Sequence, residues 1–460
     1  MTKKTWIVLG IILAMALPET IFADHSPAGA QPESLSLYLS LNRCLELAAD
    51  NSSLIQAARK NVEIAGTEVA EAAGAFWPKL TYSIFADKAQ ESMYPYSTAI
   101  YPGASSDDSG TAISLTEPLY SGGKLSGALG LAKTQFRIAL EKERQTKQQL
   151  SFQVKQAFYR VWLAERMLKV AESSYDNLEH HVARIENSYK LGAVSRFEVL
   201  RAKVQRDSLK PKVIAAQNEQ SLAKLSLALL MGFSKDRKYE VASDTGPFQA
   251  PAEIVPAEKV AADFPADETI RTEQILDSAC QNRPEMRQME QLKELGRYRK
   301  QLAEAGYKPG IFMVGQYQGG SLDYNPGHWN GNKMWTLTLN ITGNIFDGFS
   351  TSAKVTGAQK NVELTAIQES GLRDQIKLEV EEAAQNIRES LEVIHANQSN
   401  IHMARESLEM TEGRFEQGLS TTMDIMDSQL ALDQALSGYY QGIALYLTAR
   451  AKLDLVSGRD

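Results

Sequence analysis

A chain of 460 residues with 49 basic and 56 acidic side chains has a net charge of −7, which argues against a nucleic-acid partner. Two cysteines, Cys44 and Cys280, are too few for a disulfide framework. Without a nucleophile elbow or a phosphate-binding loop the chain offers no enzyme chemistry, and no cofactor or metal is expected.

In chain order, Lys3 and Lys4 precede an apolar run from Trp6 to Leu17 and then Ile21-Phe22-Ala23. This pattern predicts a signal peptide over 1–23. Beyond it no apolar run approaches the roughly 18 to 20 residues of a membrane helix, so a membrane could be entered only as a β-barrel.

The remainder reads as one unit built twice. A first repeat over 24–232 is expected to hold a helix at about 34–77, strands near 79–89 and 110–119, a long helix over 120–191 and a return helix over 194–232. A proline-rich linker, 233–269, crosses at mid-height. The second repeat, 270–460, is expected to hold a helix at about 270–308, strands near 310–319 and 333–346, a long helix over 346–417 and a return helix over 420–458. Gly192 matches Gly418 and Gly232 matches Gly458 at an offset of 226, whereas Ala48, Asn51 and Pro78 match Ala279, Asn282 and Pro309 at 231. Self-similarity of this kind marks a duplicated structural unit.

The long segments are 72 residues each without a proline. As helices they would be about 108 Å long, which spans a distance rather than wrapping a pocket. Apolar or small residues recur in steps of four and three from Leu150 to Tyr189, and in the same phase from Ile376 to Phe415, where Ser390, Asn397 and Thr411 interrupt the seam. Each long helix meets a glycine, Gly192 or Gly418, and the return helix then opens with Ser195-x-x-Glu198 or Thr421-x-x-Asp424, capping-box patterns that turn the chain back. The return helices are about half-length, as are the entering ones, so one of each lies end to end beside a long helix. Pro211 is expected to kink the first return helix.

The clearest strand alternates Trp335, Leu337, Leu339 and Ile341 with Thr336, Thr338, Asn340 and Thr342. Four such strands cannot close a barrel, because the smallest outer-membrane barrels have eight and open edges are not tolerated in lipid. Three chains supply twelve. The fold class that follows is mainly α, an α-barrel of long antiparallel coiled-coil helices, continued by a twelve-stranded transmembrane β-barrel to which each chain of a homotrimer gives four strands.

PLYSGG (Pro118 to Gly123), IFDGF (Ile345 to Phe349), LGAVSRFEVL, QGLSTTMDIM and NRPEM (Asn282 to Met286) together resemble the TolC family of outer-membrane efflux proteins, over about residues 34–458. The resemblance implies a trimeric exit duct of a tripartite efflux or type I secretion system, in the outer membrane and reaching through the periplasm. Its partners would be outer-membrane lipid, a periplasmic adaptor and an inner-membrane transporter of resistance-nodulation-division or ABC type. It also implies an aperture ring from Asp424 and Asp427, with Glu198 as the first-repeat counterpart of Asp424. Gly192, Ala193, Val194, Ser195, Gly418, Leu419, Ser420 and Thr421 become the adaptor-docking tips. The tyrosine and arginine that latch the closed tip in this family are replaced by Phe415 and Ser420. Asp424 also has a capping role without any gate, and Asp427 on its own would be a solvated carboxylate. The six histidines show no ligand spacing beyond the adjacent pair His180 and His181, while His395 and His402, one heptad apart, lack a paired carboxylate or cysteine set and read as surface or groove residues. A periplasmic coiled-coil tether and a trimeric adhesin are the alternative readings.

Overall fold

In the computed structural model of the chain, residues 37–89, 106–233, 239–241, 272–321 and 332–458 are described. The expected signal peptide and most of the linker lie outside the described residues. The first copy runs β1 (Leu37–Leu39), α1 (Leu41–Asn51), α2 (Ser53–Gly74), β2 (Lys79–Ala89), β3 (Ser106–Tyr120), α3 (Lys124–Lys190) and α4 (Arg196–Leu230). After β4 (Tyr239–Val241) the second runs α5 (Thr272–Asn282), α6 (Pro284–Glu304), β5 (Gly310–Ser321), β6 (Asn332–Thr342), α7 (Ser350–Glu416) and α8 (Thr422–Ser457). The long helices α3 and α7 are 67 residues each, about 100 Å at 1.5 Å per residue.

The entering helices, expected as single rods over 34–77 and 270–308, are each broken. Ser52 is extended at φ −64°, ψ 125° and Arg283 at φ −65°, ψ 131°. Pro284 accounts for the second break, since the residue before a proline is pushed out of the α region. In the first copy Ser52 does the work with its side chain, whose Oγ accepts from the Leu54 N–H at 3.3 Å. Each break receives the C-terminal glycine of a return helix. A Cβ on Gly232 (φ +73°) would lie 2.9 Å from the Asn51 carbonyl oxygen, and one on Gly458 (φ +72°) 2.9 Å from the Arg283 nitrogen. Glycine is needed there both for its left-handed backbone and for the close approach. β1 pairs in parallel with β4, so the first residues past the return helix α4 are tied beside the entering helices.

The long helices open at Lys124 and Ser350, four residues later than the proline-free runs begin. Gly122, Gly123, Gly348 and Phe349 adopt positive φ at the two junctions and no helix can pass through them. β6 stops at Thr342 instead of 346. α4 carries Pro211 in its interior and continues through it as one helix.

The seams are buried. Val154, Val161, Ile185, Ile376, Ile387, Ile394 and Ile401 are essentially inaccessible. The polar seam residues of α7 satisfy themselves on their own helix: Ser390 Oγ donates to the Ile387 carbonyl, Asn397 Nδ2 to Val393 and Thr411 Oγ1 to Ser407, all within 2.8 Å. α3 pairs with α4 and α7 with α8 as antiparallel coiled coils. α8 also packs on α3, and α6 bridges α3 and α7 in the other half.

The sheet has the order β2-β3-β5-β6, all antiparallel. The β3–β5 pairing joins the two copies, with the register shifting between Pro118 and Tyr120, a bulge where a proline is tolerated. Register places Tyr82, Ile113, Tyr317 and Trp335 in one row across the four strands. Trp335, Leu337, Leu339 and Ile341 of that face are all more than 60% exposed, as are Leu80, Tyr82 and Ile84. The opposite face carries Thr81, Ser114, Gln316 and Thr336 in one row. Both outer strands, β2 and β6, have one unpaired edge among the described residues.

Candidate functional site

The far end of the rods from the sheet is formed by two turns of the same construction. Gly192 (φ +76°) and Gly418 (φ +72°) follow the last residues of α3 and α7. Around them the N–H of Ala193 donates to the Ser188 carbonyl and that of Leu419 to Arg414, with bonds that close a smaller ring from Gly192 to Tyr189 and from Gly418 to Phe415, all at 2.9 Å. This is the Schellman arrangement. A Cβ at either tip glycine would meet nothing within 4 Å. Unlike Gly232 and Gly458, these glycines are required by conformation alone, and the space around them is open. Leu191 (85% exposed), Phe197 and Leu419 project apolar surface beside them.

The two capping boxes differ. Thr421 and Asp424 form a complete one: the Thr421 N–H and hydroxyl donate to Asp424 Oδ2 at 2.7 and 2.9 Å, and the Asp424 N–H returns to Thr421 Oγ1 at 3.4 Å. These bonds, the backbone one foremost, hold the Asp424 carboxyl below the usual carboxylate range. In the first copy the Glu198 N–H donates to Ser195 Oγ at 3.4 Å, and among the described residues the reciprocal bond is not formed. Asp427 lies one turn beyond Asp424 on α8 and is exposed, without a structural bond of the kind that engages Asp424. Ser420, at one latch position, donates its hydroxyl to the Thr411 carbonyl at 3.0 Å and so stabilises its own turn.

Phe415, the other residue the resemblance sets at a latch position, is half-buried against Val182, Ile185, Val199 and Ala202, a small core at the tips. Its ring lies 5.0 Å, centroid to centroid, from that of His181. His181 is 1% exposed. In the sequence it reads only as half of an adjacent pair with His180, and the structure buries it. The signal was available in part, because His181 directly precedes the seam residue Val182 and so lies at the edge of the buried stripe. His402 is exposed, 4.0 Å from Glu406. Among the described residues no cluster of side chains suited to a metal is found.

A second residue missed in the sequence is Arg283, inside the NRPEM run. It is 7% exposed, donates to Glu379 of α7 at 2.7 Å and to Glu285 at 3.3 Å, and thereby ties the α5–α6 break to the long helix. Cys44 and Cys280 are both free thiols, Cys44 buried.

The sequence profile of the outer membrane efflux proteins matches residues 44–233 and 275–459, the two copies in turn. The chain belongs to this family. It is an outer-membrane efflux channel whose rods extend into the periplasm, and the tether and adhesin readings fall away. Among solved structures, the outer membrane protein VceC of Vibrio cholerae superposes with a TM-score of 0.75 at 16% identity, over 91% of this chain and 96% of that one. The Campylobacter jejuni CmeC outer membrane channel gives 0.73 at 15% identity, over 96% and 93%. The open-state MtrE channel of Neisseria gonorrhoeae gives 0.68 at 16% identity, over 94% of each. At these identities the likeness shows the fold. No curated protein matches the chain.

Proposed function

We propose that three copies of the chain form a continuous duct, a twelve-stranded barrel in the outer membrane leading into an α-helical cylinder of about 100 Å, through which an inner-membrane transporter passes substrate by way of a periplasmic adaptor. The observation that carries this reading is the sheet: one apolar face exposed across four strands, one polar face, and two open edges, running straight into the long helices through positive-φ junctions. In lipid those edges must be paired, and the β6 edge of one copy against the β2 edge of the next pairs them.

The tip turns Gly192–Ser195 and Gly418–Thr421 are the docking surface for the adaptor on this reading, with Leu191, Phe197 and Leu419 as its apolar contacts. Asp424 and Asp427 from three chains surround the aperture. Asp424 serves the helix cap first and adds its charge to the ring, and Asp427 has no other task. The transporter is of resistance-nodulation-division or ABC type, and the exported compound is set by it rather than by the duct.

Mass measurement in detergent and conductance in planar bilayers test the proposal together. Three chains per particle and a cation-preferring channel are expected. A folded monomer that inserts into lipid without conducting would sink it.

A further inference from the structure

His181 has no hydrogen-bond partner at either ring nitrogen although it is 1% exposed. Such a ring is tolerated only uncharged, since burying an unpaired charge is far more costly than burying an unpaired dipole. Its position gives this a consequence. His181 belongs to α3, in one coiled coil, and its aromatic neighbour Phe415 to α7, in the other. Nearby, Arg184 meets Glu412 of α7 at 3.5 Å and Asn177 donates to Gln429 of α8 at 3.4 Å. Among the described residues, the lower end of α3 thus meets the second repeat through polar contacts and, at His181, a buried ring.

We propose that His181 is a proton-sensitive joint between the two coiled coils of each chain, closing them near the tips when neutral and parting them, and so widening the aperture, when protonated. The inference rests on the duct reading above. The charged groups around the ring are Arg184 on its own helix, which opposes protonation, and Glu412 on α7, which partners Arg184. From α4 the tip core presents apolar Val199 and Ala202, with Lys203 paired to Glu186 and Arg206 to Asp207. From α8 come the neutral Gln429 and Asp433, which accepts from Gln429 at 2.8 Å, faces Ser174 of α3 and is held above the usual carboxylate range by burial.

Burial, with Arg184 second, pushes His181 down to about 4 from 6.5. The closed form thus takes up no proton until the pH nears 4, whereas a parted, hydrated ring takes one up below 6.5. Closure is fully supported above pH 6.5 and loses support as the pH falls from there toward 4. At pH 5 the shift favours the parted form by about 30-fold per chain.

His181→Phe keeps a ring against Phe415 and cannot titrate. In planar bilayers, wild-type trimers are expected to gain conductance several-fold between pH 7.5 and pH 5, and His181→Phe trimers to stay flat. Both retain Asp424 and Asp427, so a shared pH response in the variant would place the titration elsewhere and overturn the joint. Trimers that conduct at no pH would overturn the duct reading instead. A second measurement reads the joint without the channel: hydrogen exchange over 176–191 and 408–418, corrected for intrinsic rate, should loosen in both segments together at pH 5.5 in the wild type and not in His181→Gln. Unchanged protection in the wild type would overturn the proposal.

Discussion

Asn397 and Gly438 form a pair whose energetics follow from their geometry. Asn397 interrupts the α7 seam and donates Nδ2 to the Val393 carbonyl at 2.8 Å. Opposite it on α8, a Cβ at Gly438 would lie 2.5 Å from Asn397 Oδ1 and 2.8 Å from Cγ. Gly438→Ala therefore sets two effects against each other. Helix propensity improves by about 1 kcal/mol, while overpacking a fitted seam costs about 1–3 kcal/mol and displacing the amide forfeits a hydrogen bond worth about 1 kcal/mol. The net expectation is a loss of about 1–3 kcal/mol per chain. Adding Asn397→Ala removes the obstruction and leaves the propensity gain, so the double variant should recover most of that loss, with a coupling energy of about 2–4 kcal/mol. Denaturant unfolding of detergent-solubilised protein measures all four corners of the cycle. Effects that add within about 0.5 kcal/mol would refute the reasoning, because residues that do not compete for space do not couple.

Other outcomes follow from the tips and from the α5–α6 break. A Cβ added at Gly192 or Gly418 has nothing beyond its chain neighbours within 4 Å, so valine at both incurs chiefly the left-handed strain of about 1–2 kcal/mol per site; assembly should survive while export fails, and normal export would remove the tips as the docking surface. Asp427→Asn should weaken cation preference in bilayers at unchanged thermal stability, whereas Thr421→Ala should cost about 1 kcal/mol of stability through its cap and leave selectivity alone. The reverse pattern would assign the aperture charge to the cap rather than to Asp427. Arg283→Met leaves Glu379 and Glu285 facing one another half-buried and should destabilise by about 2–3 kcal/mol; a Glu379→Gln background should reduce that loss, and equal losses in both backgrounds would show that the ion pair is not its origin.

Much of the molecule was legible in one dimension. The offset between Gly192 and Gly418, the seam from Leu150 to Tyr189 and the alternation from Trp335 to Thr342 determine a duplicated rod with a four-stranded end, because periodicity and turn chemistry are local properties of the chain. The breaks at Ser52 and Arg283 were not legible as breaks. A serine in a helical pattern is ambiguous until Gly232 is seen pressed against Asn51, and Pro284 reads equally well as the first residue of a helix. The same holds at the tips, where Thr421 and Asp424 are three residues apart and declare their cap in the sequence, whereas His181 and Phe415 lie 234 positions apart and are brought together only when the two coiled coils pack side by side. What the sequence by itself determined is the set of elements and the faces they must bury. The tertiary structure alone decided which distant side chains share those faces, since burial and the loss of hydrogen-bond partners depend on every neighbour at once and not on spacing along the chain.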